Sequence, residues 1–224
     1  MGLLHMIVHT RRHPSAILLL VQLLAMVLYP FVERTAIGHI ALNAFGIVIL
    51  TLTTYMVRRT PGPTLISVCL ALPIIALLVV QMAVEGRHLQ AWSSGLEAVF
   101  YFYAAGSLIA YMLEDRRVTT DELYAAGATF TLLAWGFTHL YLVVQALAPG
   151  SYLAAVHAEL PRTWTELNYL SFALLSSTGI GDVIPVTVHA RSLASIEMFV
   201  GLMYLAAVVA RLIGLTMQPS KPTD

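Results

Sequence analysis

Six stretches of this chain run for about 20 residues or more with few charges: roughly 14–32, 37–57, 64–84, 92–113, 123–147 and 190–215. A helix needs about 20 predominantly apolar residues to cross about 30 Å of hydrocarbon, so each stretch is long enough to span a bilayer. Charge, Pro or Gly bounds every one of them. Hydrophobic residues make up 58% of the chain and charged residues 11%, with a mean hydropathy of +0.80, well beyond what a soluble core requires. The expected fold is therefore an all-α integral membrane protein with six transmembrane helices. The first stretch follows Arg11 and Arg12 as a signal peptide would, but no small-x-small cleavage site follows it. Tyr29, Pro30 and Phe31 fit a helix end at the interface, so this segment is read as a retained span.

Twelve Lys and Arg balance twelve Asp and Glu, which leaves no basic field for nucleic acid. Lipid and further copies of the chain are the expected partners. The lone cysteine, Cys69, excludes an intrachain disulfide and most metal sites, and is expected as a packed thiol. Cytoplasmic loops are enriched in Lys and Arg. With the N-terminus inside, Arg11, Arg12, Arg58, Arg59, Arg116, Arg117, Arg211 and Lys221 are cytoplasmic, eight of the twelve cations. Six spans then put both termini in the cytoplasm of a cell-membrane protein and leave the segment between the fifth and sixth spans outside.

That segment contains P-R-T-W-T-E-L-N-Y-L-S-F-A-L-L, residues 161–175. Thr163 and Glu166 have the T-x-x-E spacing of a capping box, and Leu167, Leu170, Leu174 and Leu175 give an apolar face at helical spacing. A helix of about 12 residues cannot cross the hydrocarbon, so it is expected to enter the membrane and turn back. Non-helical backbone at that depth is tolerated only where protein buries it or it lines a wet cavity. The backbone that follows is S-S-T-G-I-G-D, residues 176–182. Glycines at 179 and 181 admit positive φ, which lets successive carbonyls point one way and replace the water around a cation. Ser177 would add an oxygen at the inner end and Asp182 a carboxylate at the outer mouth, while the C-terminal end of the short helix would aim its negative dipole at a cavity below. One chain supplies one strand of such a lining, so a closed ring requires an oligomer.

The run Ser176-Ser177-Thr178-Gly179-Ile180-Gly181-Asp182 resembles the T-T-V-G-Y-G-D signature of potassium channels, and the short helix before it and the long helix after it follow that family's order. Ala190-Arg191-Ser192-Leu193, Glu197, Gly201, Tyr204 and Ala210-Arg211-Leu212 are similar to the inner helix of small bacterial members. The resemblance covers roughly residues 121–216 and extends to the first four helices only by topology. It implies a homotetramer around one pore, with K⁺ held by the carbonyls of Ser177, Thr178, Gly179, Ile180 and Gly181, and no cofactor beyond the permeant ion. It places a gating hinge at Gly201, although a glycine in a membrane helix is as readily a close-packing site.

Ile180 stands where the family has Tyr or Phe, Thr178 where it has Val, and Ser177 where it has Thr. Ile180 is expected to pack on Trp164 or Tyr169 behind the filter without the hydrogen bond a tyrosine makes, so a non-selective monovalent cation pore of the same fold is the alternative to a K⁺ channel. The fourth span contains no Arg or Lys between 92 and 113, so it has no gating charges. Its one acid, Glu97, is expected near the outer interface as a water-reaching carboxylate. His139 is either a proton sensor or a neutral imidazole bonded to a neighbouring helix, and His157 and His189 flank the outer mouth. Gly106-Ser107 in the fourth span also suggests an intramembrane serine hydrolase, with His139 the available base, but that alternative leaves the Gly-rich segment unexplained. The chain is thus expected to divide into a four-helix peripheral membrane domain, 1–118, and a pore domain, 119–224. With about ten residues after Gly214 and thirteen before Pro14, no cytoplasmic sensing domain is expected.

Overall fold

The computed structural model describes residues 14–32, 36–58, 64–81, 87–114 and 119–216. In chain order these form α1 (Pro14–Val32), α2 (Ala36–Val57), α3 (Thr64–Gln81), α4 (Arg87–Glu114), α5 (Thr120–Leu147), β1 (Tyr152–Ala154), α6 (Trp164–Leu175), β2 (Val183–Pro185) and α7 (Val188–Thr216). Among the described residues the regular structure is helical apart from the two three-residue strands, and α1, α4, α5 and α7 are long and apolar enough to cross a membrane. Apolar length fixed these helices, and turn chemistry fixed several of their ends. Thr119 caps α5 by accepting from the Glu122 N–H at 3.3 Å, and Pro149 with Gly150 at φ +81° stops it after Leu147.

The side chains are distributed as a bilayer demands. Large apolar residues such as Leu20, Val27, Phe31, Phe199 and Leu202 face outward, whereas Gln22, Thr53, Ser67 and Glu197 are fully buried between helices. Cys69, expected as a packed thiol, lies on the outward face of α3 instead. Its helix turns small and aliphatic residues, Ala71, Ile74 and Leu78, toward the core, and position 69 falls off that stripe.

Helix α5 is the centre of the fold and packs against α4, α1, α6 and α7. At its start, Asp121 accepts from both the N–H (3.1 Å) and the hydroxyl (2.8 Å) of Ser15, so it caps the first turn of α1. Its neighbour Glu122 pairs with Arg211 of α7 at 3.0 Å. At the opposite end of α1, Tyr29 stacks on Trp164, the first residue of α6, with ring centroids 4.1 Å apart. The beginnings of α1 and α5 and the end of α7 therefore share one level, and the end of α1 and the beginning of α6 share the other.

The terminal basic residues Arg11, Arg12 and Lys221, and Arg59, Arg116 and Arg117 in the connections, lie outside the described residues, as do positions 82–84 at the end of the third expected span.

Candidate functional site

Helix α6 runs for 12 residues, as its sequence predicts, and its capping box is complete: Thr163 Oγ1 accepts from the Glu166 N–H at 3.2 Å while Glu166 Oε2 accepts from the Thr163 N–H at 2.8 Å. Glu166 also pairs with Arg162 at 3.1 Å. Arg162 is buried, and its guanidinium donates to the carbonyls of Val156, His157 and Leu160, gathering the loop between α5 and α6 around one cation. Gln145 of α5 completes this anchor, donating to the Arg162 carbonyl at 2.9 Å and accepting from its N–H at 2.8 Å. The sequence shows Arg162 only as one outward cation among four. The signal was its place four residues before the acid of a capping box, with Pro161 beside it.

At the other end of α6 the chain leaves the helix into residues 176–182. Three of them have positive φ, and they alternate: Ser177 at +59°, Gly179 at +57° and Gly181 at +84°. Thr178 and Ile180 between them do not. Dihedrals of alternating hand place successive N–H groups along one edge of a strand and the carbonyls along the other. The N–H edge is held at the inner end: Ser177 donates to the Leu174 carbonyl at 3.0 Å, and Thr178 and Gly179 donate to the Ala173 carbonyl at 3.0 and 3.1 Å. Thr178 Oγ1 adds a bond to the same carbonyl at 3.2 Å and lies 3.0 Å from Ser176 Oγ, a tie that the family's valine has no group to make. The last carbonyls of α6 are thereby occupied by the loop itself, which differs from a helix end left free to aim its dipole at a cavity.

Residues 177–182 are all exposed on the surface of the chain. Ile180 is 66% exposed, so the expected packing on Trp164 or Tyr169 is not made within one chain. Trp164 is taken up elsewhere, by Tyr29 and by Trp135 of α5 at 6.1 Å, and anchors the beginning of α6 to the peripheral helices. Tyr169 stands on the exposed side of α6. Past the loop, Asp182 accepts from the Val183 N–H through its side chain (2.9 Å) and from the Ala155 N–H through its carbonyl (3.0 Å). There β1 and β2 pair antiparallel in the register Tyr152 with Pro185, Leu153 with Ile184 and Ala154 with Val183. This ribbon, which the sequence gives no reason to expect, fastens the outer end of the loop to the segment after α5. Burial first, and the Glu197 carboxyl second, push the phenol pKa of Tyr152 up.

Helix α7 closes the back of the site. Glu197 is fully buried and accepts from the Tyr141 phenol of α5 and from the Ser171 hydroxyl of α6. One turn on, Gly201 lies against the backbone of Leu175. A Cβ there would overlap the Leu175 carbonyl oxygen and sit 2.7 Å from its carbonyl carbon and Cα. Close packing accounts for this glycine without a hinge.

The remaining titratable residues lie apart. His139 Nε2 is 3.3 Å from Glu97 Oε2, with both side chains nearly buried between α4 and α5. Glu97 is therefore not the water-reaching carboxylate expected of it, and His139 has the neighbouring-helix partner expected of a structural imidazole. Ser107 is ten residues along α4 from Glu97, about 15 Å of helix, so the imidazole that a nucleophilic serine requires is bonded elsewhere. His157 is exposed, 3.9 Å from Glu159, and His189 is exposed in the first turn of α7. Among the described residues no group of three or more His, Cys, Asp or Glu is placed to hold a metal ion.

Neither curated proteins nor solved structures give a match to the chain. Residues 130–218, which hold most of α5 with the whole of α6, the 176–182 loop and α7, match the family model described as ion channel. That match supports a passive ion channel, and the four helices long and apolar enough to cross a membrane support a membrane protein.

Proposed function

We propose that the chain assembles as a homotetramer in the cell membrane and conducts cations passively, favouring K⁺, through a filter built from residues 177–182. The observation that carries this reading is the alternating left-handed backbone at Ser177, Gly179 and Gly181, with its inner N–H groups bound to a helix too short to span. The carbonyl edge of such a strand faces away from its own chain, and four copies would turn four edges inward around dehydrated K⁺. Asp182 would sit at the outer mouth. In this reading α2 and α3 span with α1, α4, α5 and α7, both termini are cytoplasmic, lipid covers the outward apolar faces, and residues 1–118 form a peripheral domain beside a pore domain of 119–224.

A specific observation favours a second reading. The described residues leave most of the Ile180 side chain uncovered, so a filter that admits Na⁺ nearly as well as K⁺ is the alternative. Reconstitution into liposomes separates the two. A K⁺ gradient should drive uptake of a charge-balancing reporter, and an equal Na⁺ gradient should drive distinctly less. Equal rates would favour the non-selective pore, and no rate with either ion would remove the filter assignment.

The same reading predicts weak voltage dependence. Helix α4 has Arg87 at its first residue and no Lys or Arg further along. Each charge crossing the field contributes about 2.3 kcal/mol per 100 mV, so a helix without such charges cannot drive steep opening. Open probability measured in planar bilayers should change less than about threefold per 100 mV. A slope as steep as several charges per subunit would refute it.

A further inference from the structure

Glu197, Gly201 and Tyr204 follow one another at i, i+4 and i+7, a single stripe along α7. The whole stripe is docked. Glu197 receives hydroxyls from Tyr141 and Ser171, Gly201 rests on Leu175, and the Tyr204 hydroxyl donates to the Ala126 carbonyl of α5 at 2.6 Å. On α6 the two residues touched, Ser171 and Leu175, are also four apart. Two helices thus meet at two points in matched register, and the second point adjoins the carbonyls of Ala173 and Leu174 that hold the N–H groups of Ser177, Thr178 and Gly179.

A buried carboxyl is a poor choice for stability alone, since an apolar side chain of similar volume fills such a place without desolvating a polar group. Its distinctive property is direction: two hydroxyls, from two different helices, must sit where its oxygens are. Ile180 has no hydrogen-bonding side chain and is largely exposed, so the described residues of its own chain hold it little from that side.

We propose that Glu197 is a positioning residue for ion discrimination: by binding Ser171 and Tyr141 it sets α6 relative to α5 and α7, and through the inner N–H anchors of the loop it sets the carbonyl spacing of residues 177–181. The proposal rests on the reading of that loop as a cation filter. Ser171 Oγ lies 2.8 Å from the Ala134 carbonyl as well as beside Glu197, and Asn168 is 3.3 Å from Thr138. These bonds keep α6 on α5 when Glu197 is removed. The polar tie to α7 is then lost, and only the register between filter and inner helix is free to drift.

The test uses the full chain in planar bilayers, with reversal potentials under K⁺/Na⁺ bi-ionic conditions. Glu197→Gln should keep the wild-type permeability ratio, because an amide oxygen accepts from Tyr141 and an amide N–H donates to Ser171 Oγ. Tyr141→Phe and Ser171→Ala should each lower the K⁺/Na⁺ ratio by about three- to tenfold, the effect of one hydrogen bond, and Glu197→Ala, which removes both bonds, by at least as much, while K⁺ current persists. A merely structural glutamate would change the yield of folded protein and not the ratio. If Glu197→Ala is not recovered as folded channel, the two single-hydroxyl variants decide the matter. Wild-type ratios in the recovered variants overturn the positioning role alone, and so does a wild type that conducts K⁺ and Na⁺ equally. A wild type that conducts neither ion overturns the filter reading, and this proposal with it.

Discussion

Gly201→Ala should leave little folded channel. The added methyl would overlap the carbonyl oxygen of Leu175 and approach its carbonyl carbon and Cα to 2.7 Å, and these are backbone atoms at the end of α6 that no rotamer change can move aside. An ordinary overpacked core side chain costs about 1–3 kcal/mol because its neighbours yield, and here the yielding element would be a whole helix end, so the cost should exceed that range. Thermal unfolding in detergent, followed by size-exclusion recovery, should show a large loss. Gly106→Ala is the control: nothing lies within 4 Å of a Cβ at Gly106, so the same change in another membrane helix should shift the melting point by little. If Gly201 instead serves only as a hinge, Gly201→Ala will fold at normal yield and alter opening kinetics, which would exclude the close-packing account.

The contrast between these glycines marks what the sequence discloses and what it withholds. The short helix was legible because its signals are local: Thr163 and Glu166 are three apart, the leucines recur at helical spacing, and the structure begins α6 at Trp164 with both capping-box bonds formed. The long helices were legible because apolar length is itself local. Gly201 was ambiguous, since a hinge and a close approach ask for the same residue, and Leu175, which separates them, is 26 positions away and on another helix.

Glu97 was misjudged for a related reason. Position within α4 suggested an acid near water, but the burial of Glu97 is decided by the register of α4 against α5. That register was partly recoverable. Two antiparallel helices joined by a short connection bring together residues equally distant from its middle, and Glu97 and His139 lie equally far from residue 118, as do Tyr101 and Trp135, whose rings are 5.7 Å apart. The β1–β2 ribbon had no such signal. Val183-Ile184-Pro185 is too short to alternate, its partner lies across the whole of α6 and the filter loop, and only their pairing makes either segment a strand. Arg162 belongs to the same class, because the three carbonyls that bury it converge only once the loop is folded.

Gly179→Ala should abolish ion flux and leave the protein folded. Gly179 sits at φ +57°, where an L-residue is disfavoured by about 1–2 kcal/mol. Space is not the difficulty, since a Cβ would meet nothing within 4 Å in the chain. The penalty falls on the backbone alone, in an exposed loop that can relax by rotating the peptide beside residue 179 without disturbing α6 or α7. That rotation would turn a carbonyl out of the row, and in the proposed tetramer the four penalties sum to about 4–8 kcal/mol against the conducting form, at least roughly a thousandfold fewer open filters. Ser177 gives the comparison. It already bears φ +59° as a non-glycine, so Ser177→Gly should relieve strain at the inner end and keep the alternation. Liposome flux should therefore vanish in Gly179→Ala and survive in Ser177→Gly, with melting points of both within a few degrees of the wild type. Flux that persists in Gly179→Ala would mean that ions do not pass along residues 177–182, and the alternating backbone would need another explanation.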